Sequence, residues 1–190
     1  DFNTDGHPDL AVANFSSGTV SVLSANGNGG FGVSANFTAG TNPISVTSDD
    51  FNADGRPDLA VASFNSSAVS ILLANGSGGF GAGTSFTTGA NPRSVTSADF
   101  NADGRPDLAV ANQGSNNVSV LLGNGSGGVG AKTDFTAGTS PFSVTSNDFN
   151  ADGRPDLAVA NFGSASVSVL LGNGSGGFGA KTDFTTGTGP

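Results

Sequence analysis

The nine residues Asp1-Phe2-Asn3-Thr4-Asp5-Gly6-His7-Pro8-Asp9 return in closely similar form at 50–58, 99–107 and 148–156, once every 49 residues. A chain with that period folds as a stack of like units, because one short unit cannot hide its own apolar faces. The repeat divides the 190 residues into units 1–49, 50–98, 99–147 and 148–190 of a single array. Segments 99–141 and 148–190 differ at only six of 43 positions. Neighbours so alike invite exchange of equivalent parts between chains.

Within the third unit, the apolar runs Asp107-Leu108-Ala109-Val110-Ala111-Asn112 and Asn117-Val118-Ser119-Val120-Leu121-Leu122 follow the acidic loop. A turn, Gly123-Asn124-Gly125-Ser126-Gly127-Gly128, leads to Lys132-Thr133-Asp134-Phe135-Thr136 and then Pro141-Phe142-Ser143-Val144-Thr145-Ser146. Short runs of Val, Leu, Phe and Thr punctuated by Gly, Asn, Ser and Pro are strands and turns. No 3.6-residue period long enough for a helix is present. The expectation is an all-β chain of four-stranded antiparallel meanders. The run Leu108–Ala111 sets Leu108 and Val110 on one side and alanines on the other, as in a sheet packed between similar sheets. Four strands per 40–50 residues is the pattern of β-propeller blades around an axis. The coils of the rival β-solenoid are shorter and need fewer turns per unit.

The repeated loop carries oxygen-bearing side chains at positions 1, 3, 5 and 9 and Gly at position 6. Hard cations such as Ca²⁺ take six to eight oxygens from such a sharply curled loop. The expected ligands are Asp1, Asn3, Asp5, the His7 carbonyl and Asp9 in the first loop, then Asp50, Asn52, Asp54, the Arg56 carbonyl and Asp58 in the second. The third and fourth sets are Asp99, Asn101, Asp103, the Arg105 carbonyl and Asp107, and Asp148, Asn150, Asp152, the Arg154 carbonyl and Asp156. These are not EF-hands: position 12 is Val12, Val61, Val110 or Val159, not Glu, and a strand follows. The competing reading is a metal-free Asx turn. Against it, three carboxylates crowd each loop, a repulsion repeated four times. One structural Ca²⁺ per repeat is expected, at affinities of roughly 10⁻⁴ to 10⁻³ M.

Charge agrees. All fifteen acidic residues are Asp; twelve lie in the loops, leaving Asp49, Asp134 and Asp183 outside and free. Four divalent ions would bring the formal charge of −9 to about −1. Six Lys and Arg cannot build the basic stripe that nucleic acids need. No apolar run reaches the length of a membrane span. Met is absent, so no initiator or leader is in view, and a chain opening inside a repeat is expected to be a processed product or part of a longer array. Cys is absent and leaves the redox compartment unread. Low Lys, no Glu and much Gly, Ser, Thr and Asn lean towards a secreted or cell-surface protein.

The pattern Ser-Val-Thr-Ser-x-Asp-Phe-Asn-x-Asp-Gly-x-Pro-Asp-Leu-Ala-Val-Ala, carried through the chain, resembles the FG-GAP and VCBS repeats of integrin-α-like β-propellers. Phe31-Gly32, Phe80-Gly81 and Phe178-Gly179 match the phenylalanine-glycine element, and Val129-Gly130 departs from it. The Gly-Ala-Pro element is missing, which sets the chain nearer VCBS than integrin repeats. The resemblance implies that each calcium loop joins a blade's innermost strand to its second. Ser94–Ser97 would then be an inner strand, Leu108–Ala111 the second, Val118–Leu122 the third, with Phe135 on the outer strand. Fifteen strands follow, the first blade lacking its inner one. Such propellers have six to eight blades, so two copies forming an eight-bladed ring, or a longer array, are expected.

Other residues read more simply. His7 and its equivalents Arg56, Arg105 and Arg154 are expected to point into solvent. Asn75, Asn124 and Asn173 open turns that suit positive φ and also form Asn-x-Ser sequons. Phe51, Phe100 and Phe149 recur at one place and are expected to pack between blades. After the second strand, however, one position varies: Phe15, Phe64, Gln113 and Phe162. Variation on a uniform scaffold makes these four the candidate ligand-binding residues. With no Cys, no Glu and one His, catalysis is not expected. The resemblance implies an adhesion or interaction module that binds protein or glycan surfaces. A lectin is the alternative, despite the absence of Trp and Tyr, and a subunit of an extracellular filament or layer is another.

Overall fold

The computed structural model describes residues 1–190 as fifteen strands and one 3₁₀ turn, Phe64–Ser66. The strands are β1 (Leu10–Asn14), β2 (Thr19–Leu23), β3 (Ala35–Thr38), β4 (Pro43–Asp49), β5 (Asp58–Ser63), β6 (Ala68–Leu72), β7 (Thr84–Thr87) and β8 (Pro92–Ala98). Then come β9 (Asp107–Asn112), β10 (Asn117–Leu121), β11 (Thr133–Thr136), β12 (Pro141–Asn147), β13 (Asp156–Asn161), β14 (Ser166–Leu170) and β15 (Thr182–Thr185). They form a three-stranded sheet β1-β2-β3 and three four-stranded antiparallel sheets, β4-β5-β6-β7, β8-β9-β10-β11 and β12-β13-β14-β15. The first sheet lacks the inner strand the others have, as expected.

Each sheet is offset by one strand from the 49-residue unit. Pro141–Asn147 closes the third unit in sequence but pairs with β13 in the fourth sheet, with Val144 opposite Val159. The acidic loop is the inner hairpin of a blade, so a unit that opens at the loop cuts through a sheet.

Three apolar clusters lie between successive sheets. Phe2, Val20, Val22, Leu59, Val61, Leu72 and Phe80 join the first and second. Phe51, Ala60, Ala62, Val69, Ile71, Leu108, Val110 and Leu121 join the second and third. Phe100, Ala109, Ala111, Val118, Val120, Leu157, Val159 and Leu170 join the third and fourth. The second strand thus turns Leu and Val to the preceding blade and alanines to the following one. Bulk is restored across the strand pair, where Ala60 faces Ile71 and Ala62 faces Val69. Inner strands are stitched together by serines: Ser45 Oγ accepts from the Val95 N–H at 3.2 Å and Ser94 Oγ from the Val144 N–H at 3.2 Å. No cluster joins the fourth sheet to the first, so the blades form an open arc.

Every inner strand carries a β-bulge at its start. Pro43, Pro92 and Pro141 pair with Ser63, Asn112 and Asn161, and the ladder resumes at Ser45, Ser94 and Ser143. The extra residues are Ile44, Arg93 and Phe142. Bulges re-aim side chains out of a sheet's regular alternation. They lie at the end of the arc opposite the acidic loops.

Candidate functional site

At one end of the arc stand the acidic loops, closely alike in hydrogen bonding. In the third, the Asp103 N–H donates to Asp99 Oδ1 at 3.1 Å and to Asn101 Oδ1 at 3.0 Å. The Gly104 N–H donates to Asp99 Oδ2 at 2.8 Å and the Arg105 N–H to Asp103 Oδ1 at 2.9 Å. Positive φ at Ala102 (59°) and Gly104 (80°) makes the curl possible. Positions 1 and 3 therefore share the amide of position 5, whose own carboxylate accepts from the Arg105 N–H and, at 3.0 Å, from Asn101 Nδ2, all at the surface. The expected carbonyl donors of His7, Arg56, Arg105 and Arg154 lie on the same curled segments.

Position 9 is placed differently. Asp58, Asp107 and Asp156 are fully buried, and each ties two backbone segments together. Asp107 Oδ2 accepts from the Phe100 N–H at 2.9 Å and Oδ1 from the Gly123 N–H at 2.7 Å. Asp9, Asp58 and Asp156 repeat both bonds. Burial pushes the Asp58 and Asp107 carboxyls above the usual carboxylate range, against the pull of their two N–H donors, and the neighbouring loop carboxylates push the same way.

No three His, Cys, Asp or Glu side chains converge into a ready-made metal cage. The donor chemistry still fits Ca²⁺: all the side-chain donors are hard oxygens on a curled loop. Each carboxylate oxygen has a second lone pair beyond the amide it accepts. The hydrogen bonds hold the side chains without exhausting them as donors.

The loops also touch the next blade. The Phe2, Phe51 and Phe100 carbonyls accept from the Gly78, Gly127 and Gly176 N–H groups of the following blade's turn, at 2.9–3.1 Å. Positive φ (77–80°) favours glycine at all three, and at Gly127 and Gly176 a Cβ would also stand 2.7 Å from Leu73 and Leu122. Asn75, Asn124 and Asn173 do not take positive φ themselves; Gly76 and Gly78, Gly125 and Gly127, and Gly174 and Gly176 do. The Asn side chain instead holds the turn, Asn124 Oδ1 accepting from the Ser126 and Gly128 N–H groups.

Arg56, Arg105 and Arg154 reach into solvent as expected, their side chains 42–52% exposed, and also stand 3.4, 3.9 and 2.5 Å from Asp54, Asp103 and Asp152 with stems over Gly76, Gly125 and Gly174. His7 remains exposed and rests on Gly27 in the same manner. One expectation about charges is corrected: Asp134 and Asp183 are not free. Lys132 and Lys181 pair with them, and they accept from Ser119 and Ser168 at 2.6 Å. Lys181 and then Ser168 hold the Asp183 carboxyl below its ordinary range.

The opposite end is aromatic. Phe15, Phe64, Gln113 and Phe162 stand there on the turns between second and third strands. The bulge residues Arg93 and Phe142 join them. Ring centroids lie 6.4 Å apart for Phe15–Phe64 and 5.5 Å for Phe142–Phe162. The Arg93 guanidinium sits 3.4 Å from the Phe142 centroid and 5.9 Å from that of Phe64. The expected residues thus share one end, but Gln113 has no ring to offer. Arg93 and Phe142 escape a reading that looks only at one turn; their signal was variation at the residue after Pro43, Pro92 and Pro141.

Grooves open between blades at the outer rim. One of about 520 Å³ is lined by Asn36, Phe37, Ser70, Phe80 and Ser85 among others. The equivalent groove one blade on has Ser85, Phe86, Val129 and Lys132.

Among solved structures, the arc superposes on the periplasmic gluconolactonase of Pseudomonas aeruginosa with a TM-score of 0.74 at 19% identity, covering 98% of this chain and 53% of that one. A Lactobacillus plantarum protein gives 0.72 at 15%, covering 95% and 54%. An Agrocybe aegerita lectin that recognises non-reducing terminal N-acetylglucosamine gives 0.66 at 22%, covering 98% and 51%. At these identities the likeness is one of fold. The chain spans about half the length of the solved structures it matches. No curated protein matches it in sequence. No helix is long and apolar enough to cross a membrane. The FG-GAP-like repeat model matches four times in overlapping register, at 1–61, 50–110, 99–159 and 148–190. With its loops, strand order and packing, the chain belongs to the FG-GAP-like repeat family and builds four consecutive blades of a β-propeller.

Proposed function

We propose that this chain is the calcium-stabilised scaffold of an extracellular adhesion or interaction module, binding its ligand at the aromatic end. The observation that carries this reading is the division of labour between the two ends. The loop end repeats nearly unchanged in every blade. At the aromatic end Gln113 stands where Phe15, Phe64 and Phe162 stand in the other blades, and the bulge residue changes from Ile44 to Arg93 to Phe142. Calcium supplies local positive charge among the Asp carboxylates; the chain's own residues hold the loop and tie it to the next blade. No pairing of acid, base and nucleophile stands at the aromatic end, so the reading is one of binding and not of catalysis. Further blades of the same kind, from a second copy or from a longer array, cover the faces left open at the two ends of the arc.

The test is a screen of immobilised glycans and extracellular-matrix proteins in calcium and in chelator. Calcium-dependent capture that is lost in Phe15→Ala/Phe162→Ala supports the reading; capture indifferent to those substitutions contradicts it. A lectin is the second reading, favoured by the repeated inter-blade grooves, where Phe37 and Phe86 offer apolar faces beside Ser85 and its neighbours. Glycan binding that survives Phe15→Ala/Phe162→Ala but is lost in Phe37→Ala or Phe86→Ala would place the sugar in those grooves.

A further inference from the structure

Two of the three joints between blades are built round a clamped phenylalanine. Phe80 of the second blade sits between Phe2 and Phe37 of the first, each ring centroid 5.3 Å away and the planes at 71° and 72°. Phe178 of the fourth blade sits in the same way between Phe100 and Phe135 of the third, at 5.4 and 5.3 Å. In the middle joint Val129 takes that place against Phe51 and Phe86. Edge-on rings attract one another beyond the area they bury.

The chain carries the parts of one more clamp, divided between its two open faces. Phe31, the equivalent of Phe80 and Phe178, is exposed on the first blade. Phe149 and Phe184, the equivalents of the two flanking rings, are exposed on the fourth. The backbone divides likewise. Gly78, Gly127 and Gly176 donate to the Phe2, Phe51 and Phe100 carbonyls, which leaves the Gly29 N–H and the Phe149 carbonyl as the remaining pair of that series. A Cβ on Gly127 or Gly176 would strike Leu73 or Leu122, whereas one on Gly29 would meet nothing within 4 Å. Leu171 is the next leucine in that series and is exposed. Beside Gly29 opens a cavity of about 270 Å³, lined by Gly27, Gly30 and Phe31 among others. One face therefore offers a ring, a donor and a hollow; the other offers two rings, an acceptor and a leucine.

These faces do not meet within one chain, since no apolar cluster joins the first and fourth sheets. The propellers on which the arc superposes are about twice its length, so two arcs of this curvature complete one turn. Resting on the reading that further blades cover the open faces, we propose that a second copy of this chain supplies them. Phe31 of each copy seats between Phe149 and Phe184 of the other, Leu171 packs on Gly29, and the Gly29 N–H donates to the Phe149 carbonyl. Two such head-to-tail joints close an eight-bladed ring about a twofold axis, and neither open face remains.

The test is sedimentation velocity on the calcium-loaded chain. The parent is expected to run as a discrete dimer at about 10 μM. Phe31→Glu and Phe149→Glu, one on each face, should each weaken that dimer at least about thirtyfold, as loss of an interface anchor does. Each variant damages both joints of its own dimer, but a heterodimer of the two keeps one joint whole. An equimolar mixture should therefore form a tighter dimer than either variant alone, and that recovery also shows that both are folded. Leu171→Glu, on the same face, replaces Phe149→Glu should that variant not fold. Val33→Glu should leave the dimer unchanged, because its equivalents Ala82 and Ala131 stay exposed at internal joints. A monomeric parent at about 100 μM, polymers that lengthen with concentration, silence of Phe31→Glu or Phe149→Glu, or no recovery on mixing overturns the proposal. No ligand enters this measurement: a dimer that captures nothing keeps the joint and loses the binding reading, and a monomer that captures ligand does the reverse.

Discussion

Asp103 and Asp107 share a loop and face different surroundings. Asp103 sits at the surface on the curl, whereas Asp107 is buried and accepts from Phe100 and Gly123. Removing a buried acceptor orphans its donors at about 1–3 kcal/mol each. Asp107→Ala should therefore lose about 2–4 kcal/mol in urea unfolding in chelator, and more in calcium, where the loop also loses an expected donor. Asp103→Ala should be mild in chelator and lose most of the gain from calcium. The raised carboxyls of Asp58 and Asp107 also set a pH dependence. A carboxyl whose pKa is higher folded than unfolded loses stability as pH rises from about 3.8 through the folded value. In chelator, acidification from about pH 7 towards that window should stabilise the parent chain more than Asp107→Asn, measured by urea midpoints. The curl that gathers loop positions 1, 3 and 5 is readable from their spacing alone. The burial of position 9 was not, because it depends on backbone amides of a turn sixteen residues away.

At the level of the strand and blade, most elements are legible. Fifteen strands and the missing inner one follow from the repeat, and Leu/Val on one face against Ala on the other gives the inter-blade sandwich. The bulges at Ile44, Arg93 and Phe142 are not, since a Pro before a variable residue does not reveal a skipped pairing. That a blade begins one strand before its loop follows from the family resemblance, which placed Ser94–Ser97 inside and Leu108–Ala111 next, and the third sheet bears it out. Identical residues can also meet different fates. Phe100 is 2% exposed against the fourth blade, whereas Phe149, its equivalent, is 48% exposed. Truncating a buried Phe costs about 3–5 kcal/mol. Phe100→Ala should lose that amount by denaturant unfolding, and Phe149→Ala less than about 1 kcal/mol, as surface positions do.

Across the whole arc, the two outer faces are those that inner blades bury. Leu10 and Val12 are 46% and 44% exposed, while Leu59, Leu108, Val61 and Val110 in the same places are fully covered. At the far side Phe149, Leu171 and Phe184 are open. Apolar faces of this kind associate, and the inner blades show which surface complements each. The 190-residue chain should self-associate in sedimentation velocity, and Phe149→Glu should shift it towards monomer; a monomeric parent at high concentration would contradict this.

The central claim is that the four Asp loops hold calcium and that calcium holds the blades together. Thermal unfolding of the chain in millimolar calcium and in excess chelator tests it most directly. A ligand that binds only the folded state stabilises it by mass action, and about 1 mM calcium at the affinities expected above gives about 0.4–1.4 kcal/mol per site, summed over four sites. The account predicts a large rise in the unfolding midpoint with calcium, reduced stepwise as Asp5→Ala, Asp54→Ala, Asp103→Ala and Asp152→Ala are combined. An unchanged midpoint would mean that the loops are Asx turns held by their own amides, and the claim would fail.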